Sequence, residues 1–207
     1  MVKEGRKIVF LFSVFSFLLW ILSFKYKFLL LVVIIFSTLT LLLINFFRDP
    51  KREIRKDKTV LYSPADGKIF EVLEKEDAYC IKIFMSIFNV HIQRAPIDCS
   101  IKSIVYKPGK FLPAAKKDSS ELNEKNIIEV ETEDKDRLLI TQIAGILARR
   151  IVCWVKENDF VQQGEKLGVI LLGSQVDFEF PKNKYRILVE KGQKVFAGKS
   201  VVAIKIK

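Results

Sequence analysis

The residue types able to do covalent chemistry are few in this chain, and their settings differ. Ser174 follows Gly173 at the end of the apolar run Leu167 to Leu172. A residue that tolerates unusual backbone angles therefore stands directly before a hydroxyl at a strand end. A Gly-Ser pair alone is an ordinary turn, and without a G-x-S-x-G pattern a hydrolase elbow is unsupported. His91 is the only histidine. Any imidazole that moves a proton near neutral pH must be this one; otherwise it is a hydrogen-bonded structural residue. Asp66, in Pro64-Ala65-Asp66-Gly67, has the ordinary role of a turn aspartate bonded to its own backbone. Cys80, Cys99 and Cys153 are odd in number and lack a C-x-x-C pair. Neither a disulfide framework nor a Cys/His zinc centre is expected, and a reducing compartment fits.

These residues must be positioned by a chain of two unlike parts. Half of the 207 residues are hydrophobic, yet 35 Lys and Arg against 24 Asp and Glu give a net charge of +11. Apolar and charged residues are therefore segregated, which excludes an ordinary soluble globule and a disordered chain. Ile8 to Phe24 is uncharged for 17 residues and, after Lys25-Tyr26-Lys27, Phe28 to Phe47 for 20. At ~1.5 Å per residue the second run reaches about 30 Å, the thickness of a bilayer core, and the first about 25 Å. A cleaved signal peptide competes for the first run, since Lys3, Arg6 and Lys7 precede it, but no A-x-A site follows and a second run comes at once. Three basic residues precede the first span, two lie between the spans, and six (Arg48, Lys51, Arg52, Arg55, Lys56, Lys58) follow the second. The positive-inside rule then predicts a hairpin with both ends cytoplasmic. The anchor holds five of the basic residues and one of the acidic ones, leaving residues 48 to 207 with 30 and 23, a net +7 that an anionic lipid surface would attract. No nucleic-acid motif accompanies this charge. Residues 48 to 58 by themselves also read as a solvated basic linker.

From Leu61 onward, short runs rich in Val, Ile and Phe are broken by Gly, Pro, Asn and Asp, the pattern of strands. Strands are predicted over 68–73, 79–85, 101–106 and 187–190, with a hairpin over 127–142 turning at Asp134-Lys135-Asp136. Residues 144–155 fit helix or strand, and the polar stretch 116–126 fits a surface loop or a short helix. Val155 to Ile170 recurs as Val189 to Ile204 with a period of 34 residues, aligning Val161 with Val195 and Gly164 with Gly198. Each copy reads as a strand, a turn at Asn158 or Gly192, a glycine turn and another strand, similar to the hairpins of biotinyl- and lipoyl-type β-sandwiches. Neither copy buries its face alone, so the two are expected to pack together. No Met-Lys-Met stands at a turn, which argues against a carrier lysine.

Further segments change the meaning of Gly173-Ser174. They are Ser63-Pro-Ala-Asp-Gly-Lys68, Phe84-Met-Ser-Ile-Phe-Asn-Val-His-Ile-Gln-Arg-Ala-Pro96 and Tyr106-Lys-Pro-Gly-Lys-Phe111, followed in order by Gln142-Ile-Ala-Gly145, Ala148-Arg-Arg150 and Gly173-Ser-Gln-Val-Asp177. From Tyr62 to Pro181 the sequence resembles the phosphatidylserine decarboxylases, in their short, membrane-associated form. The resemblance implies a proenzyme that cuts itself between Gly173 and Ser174, after which Ser174 becomes a pyruvoyl group heading a second chain. The products would be residues 1–173 and the 34 residues 174–207. The pyruvoyl ketone would accept the electrons released on decarboxylation, with no metal and no pyridoxal phosphate. The resemblance also implies that Asp66 orients self-cleavage and that His91 serves proton transfer. Longer relatives carry a second histidine three residues further on; here that position is Arg94, which cannot act as a base at neutral pH. Either His91 covers both roles or another group drives self-cleavage, and Arg94 is then a candidate to bind the substrate phosphate or carboxylate with paired hydrogen bonds.

The expectation is a mostly β (α+β) protein. Residues 1–47 form a two-helix membrane anchor, 48–60 a basic linker, and 61–207 a β-sandwich or barrel-like decarboxylase domain with biotinyl-like hairpins. Its partners would be phosphatidylserine and the bilayer, with the two processed chains held as a heterodimer on the cytoplasmic face of the cell membrane. Two rivals stand beside it: a non-enzymatic membrane-tethered adaptor or carrier, and a pyruvoyl decarboxylase of another seryl lipid.

Overall fold

The two uncharged runs are helices α1 (Lys3–Ser23) and α2 (Leu30–Phe46), with a 3-10 turn at Lys27–Leu29 between them. The computed structural model describes residues 1–112, 119–145, 150–171 and 174–206, Ser119 by its backbone alone. Met1–Lys51 and Arg52–Lys207 form two separate units.

In the first unit the helices are antiparallel, and small or polar residues let them approach. Ser16 Oγ donates to Thr40 Oγ1 at 3.3 Å, because the Thr40 hydroxyl is itself spent on the Phe36 carbonyl at 2.7 Å. The outward faces are apolar: Phe10, Leu11, Phe17, Phe28, Leu31 and Leu41 are all exposed. Lys3–Ser23 and Lys27–Phe46, the second counted with its 3-10 turn, are long and apolar enough to cross a membrane. Lipid, not water, is the solvent that suits such a surface.

In the second unit the named strands pair antiparallel. One sheet has the order β13 (Lys194–Val195), β2 (Gly67–Glu74), β3 (Ala78–Met85), β11 (Ser174–Pro181), β7 (Arg137–Ala144), β6 (Lys125–Thr132), β5 (Cys99–Lys107), β9 (Phe160–Val161). A second joins β4 (Ile92–Arg94), β10 (Lys166–Leu171) and β8 (Arg150–Cys153), and a third joins β1 (Val60–Tyr62), β14 (Val201–Lys205) and β12 (Tyr185–Ile187). Period-two alternation sets the buried face: Ile128 and Val130 on β6, Leu138 and Ile140 on β7, Phe178 and Phe180 on β11. The result is the mostly β architecture expected.

The strand runs match their expectations closely, and the differences are local. The run expected at 187–190 forms strand only over Tyr185–Ile187, because the chain then enters a turn at Gly192 (φ +98), whose N–H donates to the Ile69 carbonyl at 2.7 Å. Of the ambiguous 144–155, Arg150–Cys153 is strand, while 146–149 lie outside the described residues. Of 116–126, residues 116–118 lie outside the described residues, Ser119–Leu122 is the short helix α3 and strand begins at Lys125. The 34-residue repeat is visible in the backbone. Asn158 and Gly192 have φ of +72 and +98, Gly164 and Gly198 +82 and +68. The two glycine turns meet, since a Cβ built on Gly198 would lie 3.6 Å from the Gly164 Cα, and Ile54 covers both.

The large sheet has two ends of different character. At one end the turns are Lys75-Glu76-Asp77 and Glu133 to Asp136, with Lys182 to Lys184 following β11. At the other, Met85 ends β3 opposite Ser174, Ser174 pairs with Ala144, and Lys125 pairs with Lys107. Gly67, at the start of β2, belongs to that second end.

Candidate active site

Ser174 is the first residue of β11, between the ends of β3 and β7. β10 ends at Leu171 in the second sheet, so the chain changes sheets across the two intervening residues. One of them is Gly173, which lies outside the described residues. The Ser174 side chain is fully buried, and its Oγ donates to the Met85 Sδ at 3.4 Å.

His91 immediately precedes β4, the strand that pairs with β10, and the Ile170 N–H donates to the His91 carbonyl at 3.2 Å. The imidazole is buried. Its Nδ1 lies 3.0 Å from the Asn89 carbonyl oxygen, which only accepts, so Nδ1 carries a proton and in the neutral ring the lone pair is on Nε2.

A chain of buried amides ties these two residues to the middle of the large sheet. Asn126 Nδ2 donates to Gln142 Oε1 at 2.9 Å, Gln142 Nε2 to Gln93 Oε1 at 2.7 Å, and Gln93 Nε2 to the His91 carbonyl at 2.8 Å, with the Met85 Sδ at 3.8 Å. Gln93 thus touches both the backbone of His91 and the sulfur that receives the Ser174 hydroxyl. Because every amide in the chain has a partner, burial carries no orphan penalty and each side chain has one preferred orientation.

Asp66 lies just before β2 and is held from two sides. Its Oδ2 accepts from Arg52 Nη2 at 2.6 Å and its Oδ1 from the Ala197 N–H at 2.8 Å; Arg52 Nη1 also donates to the Ala197 carbonyl at 2.5 Å. Both side chains are buried. The preceding segment reaches β4, where the Arg94 N–H donates to the Pro64 carbonyl at 2.9 Å. Asp66, the approach to His91, and Ser174 therefore share one end of the domain. Among the described residues, Asp66 bonds to Arg52 and Ala197 and not to His91 or Ser174.

Arg94 is also buried, and its Nη1 donates to the Gly164 carbonyl at 2.8 Å. That bond fixes the first glycine turn of the repeat against β4. On the opposite face of β11 from Ser174, Gln175 Nε2 donates to Asp177 Oδ1 at 2.5 Å and to Ser120 Oγ at 2.7 Å. Burial pushes the Asp177 carboxyl up to about 6, against the lowering pull of the Gln175 hydrogen bond and the Lys82 ammonium. Burial also raises the thiols, Cys99 to about 12 and Cys80 and Cys153 upward as well. All three stay protonated near neutral pH and are poor nucleophiles, so Ser174 has no thiol competitor.

Arg52 and the amide chain escaped the sequence reading. Arg52 was one of six cations in an apparent linker. Gln142 and Asn126 did leave a signal: each stands in phase with the apolar face of its strand, Gln142 two residues after Ile140 and Asn126 two before Ile128. A polar residue in phase with a buried stripe calls for a buried partner.

A sequence profile of phosphatidylserine decarboxylase matches residues 39–203. A phosphatidylserine decarboxylase proenzyme of Carboxydothermus hydrogenoformans is 41% identical over 171 residues, covering 79% of this chain and 80% of that protein. A putative archaetidylserine decarboxylase proenzyme of Methanosarcina mazei is 45% identical over 165 residues, 80% of this chain and 76% of that protein. A phosphatidylserine decarboxylase proenzyme of Syntrophus aciditrophicus is 42% identical over 170 residues, 79% of each chain.

Proposed function

The chain belongs to the phosphatidylserine decarboxylase family, and on that premise we propose that it cuts itself between Gly173 and Ser174 and then decarboxylates phosphatidylserine to phosphatidylethanolamine. The observation that carries the reading is the setting of Ser174. It lies at the position where the resemblance implies the cleavage serine, it stands where the chain changes sheets, and its hydroxyl is buried beside Met85, joined through Gln93 to His91.

In self-cleavage the Ser174 Oγ attacks the Gly173 carbonyl carbon and the peptide C–N bond breaks as an ester forms. A base removes the Ser174 α-proton, the Gly173 carboxylate leaves, and water releases the nitrogen as ammonia. The pyruvoyl group so formed supplies a ketone beside an amide, an acceptor for the electron pair of the breaking bond; neither metal nor pyridoxal phosphate is needed. His91 moves the protons, its lone pair on Nε2 by virtue of the Nδ1–H bond to Asn89. Asp66, fixed by Arg52 and Ala197, holds the Ser63 to Asp66 segment that orients the cleavage site. Arg94 has two candidate roles, headgroup cation and clamp on the Gly164 carbonyl, and its burial and 2.8 Å bond favour the clamp.

The cut need not separate the products. Residues 174–207 carry β11, which lies between β3 and β7 of the larger piece, and β14, which pairs with β1. Those ladders support a lasting heterodimer. The two apolar helices support attachment to the cell membrane, and the basic flanks support a cytoplasmic catalytic domain. Archaetidylserine is the second substrate reading, favoured by the 45% identity to the Methanosarcina mazei protein, and it presents the same serine headgroup to the site.

Intact mass spectrometry of the purified membrane protein tests the proposal. Two chains are expected, with the 34-residue piece 174–207 lacking a free amino terminus. Ser174→Ala is expected to remain one chain without turnover on either lipid, because alanine has no oxygen to attack Gly173. A cut Ser174→Ala protein overturns the assignment.

A further inference from the structure

Among the described residues, the site end of the large sheet exposes large apolar side chains on its turns and loops. Between β3 and β4 lies the turn Ser86-Ile87-Phe88-Asn89. It is closed by the Asn89 Oδ1, which accepts from the Ser86 N–H at 2.9 Å and the Ser86 Oγ at 2.8 Å, and by the Asn89 N–H, which donates to the Ser86 carbonyl at 2.9 Å. At its tip Ile87 is 40% and Phe88 62% exposed. Along the same end, Tyr106 near the close of β5 is 57% exposed and Phe111 43%. The Phe111 loop is tied to the Ser174 row: Asn123 bonds to the backbone of Leu112 and to the carbonyl of Ala144, each at 2.7 to 2.8 Å. Lys107 and Lys110 flank these side chains and are exposed.

We infer that this end of the domain is a bilayer-docking surface, with the turn from Ser86 to Asn89 inserting Ile87 and Phe88 among the lipids and Lys107 and Lys110 meeting anionic headgroups. The inference rests on the seryl-lipid reading of the site, which places the reacting headgroup at a membrane. Three observations favour lipid as the occupant. The apolar side chains stand on a turn closed by its own hydrogen bonds, so inserting it costs little ordering entropy. The flanking charge keeps a basic excess, Lys107, Lys110 and Lys125 against Glu121 and Glu124, the last bonded to the Tyr106 hydroxyl, and that excess is complementary to an anionic leaflet. The turns at the other end of the sheet carry Lys, Glu, Asp and Asn instead. Asn89 links the surface to the chemistry: its side chain closes the apolar turn and its carbonyl holds His91 Nδ1. Insertion would set the depth of His91 against the headgroup layer.

The test uses the full chain reconstituted in phosphatidylserine-containing vesicles with acyl chains brominated as quenchers. Phe88→Trp is made in a Trp20→Phe, Trp154→Phe background, with Glu76→Trp in that background as the control at the charged end. Strong quenching at position 88 and none at 76 is expected. Ile87→Ser with Phe88→Ser should lower vesicle turnover about tenfold, the loss of part of two apolar burials, and leave self-cleavage and turnover of a short-chain soluble phosphatidylserine at the wild-type rate. Phe88→Trp should restore vesicle turnover. Equal quenching at both positions, or a double variant that turns over vesicles normally, overturns the inference. So does a tip that is unquenched because it cross-links to a second copy. If the wild-type protein neither cuts itself nor turns over the short-chain lipid, the decarboxylase reading fails instead, and the quenching contrast still decides the docking surface.

Discussion

At one end of the eight-stranded sheet, Lys75, Glu76, Asp77 and Glu133 to Asp136 fill the turns, and ion pairs such as Lys58 to Glu133 and Lys135 to Glu131 lie in solvent. At the other end, the polar groups of Ser174, His91, Gln93, Gln142, Asn126 and Asp66 are almost entirely enclosed, each with a named partner. Water can replace the exposed ion pairs of the first end, whose turns bury only Asp136, the acceptor of the Tyr185 hydroxyl at 2.9 Å. Nothing can replace a contact at the second. A charge in solvent is cheap and nearly free of geometry, whereas an enclosed polar group holds its position only while its partners hold theirs. The contrast marks where a reaction that needs fixed atoms can be built.

The sharpest way to break the contrast is at Arg52. Arg52→Met leaves the buried Asp66 carboxylate without its cation, and a loss of about 3–5 kcal/mol is expected in denaturant unfolding of the detergent-solubilised protein, together with impaired self-cleavage. Adding Asp66→Asn should recover most of the stability but not the cleavage. If Arg52→Met unfolds like wild type, the pair is as dispensable as those at the charged end.

Asp177 gives the next effect, with the opposite sign. Its carboxyl is raised from 3.8 to about 6 in the folded protein, so the native state binds the proton more tightly than the unfolded chain does. Stability is then lost as pH rises from about 4 to above 6. Asp177→Asn avoids this and should be the more stable protein at pH 8, by ~3 kcal/mol at most, with the advantage gone at pH 3.5. Unfolding midpoints across that range check it; an advantage that grows on acidification contradicts the shift.

Gln142→Met keeps the unbranched length of the side chain and removes the amide that Gln93 Oε1 and Asn126 Nδ2 bond. A loss of ~2 kcal/mol is expected, with slower self-cleavage in a gel time course because Gln93 no longer has one fixed orientation beside Met85 and His91. At the charged end, Glu76→Ala should change neither the unfolding midpoint nor the cleavage rate, since the turn is exposed and hydrated. A measurable effect there would mean that the two ends are coupled through the sheet.

The strands from Lys68 to Tyr106, the hairpin turning at Asp134 to Asp136 and the 34-residue repeat were legible because each depends on neighbours in sequence: alternation of burial, or a backbone angle such as φ +72 at Asn158 and +98 at Gly192. Ser174, Asp66 and His91 were legible as types in ordered motifs. Arg52 was not, because one cation among six in a linker carries no mark of the carboxylate it meets 14 residues later. The amide chain was half legible: phase shows that Gln142 faces inward, but its partner Gln93 is 49 residues away.

Sequence by itself therefore determined the local conformations, the segregation of the apolar helices from the β domain, and the residues eligible for chemistry, since all of these follow from short-range sterics and from the order of apolar and polar residues along the chain. Only the tertiary structure decided that β11 lies between β3 and β7, so that Ser174 meets Met85, and that β4 pairs with β10, so that His91 lies alongside the strand leading to the cleavage site. Which strands become neighbours depends on closing long loops and filling one shared core. That choice belongs to the whole chain at once and is written at no single position.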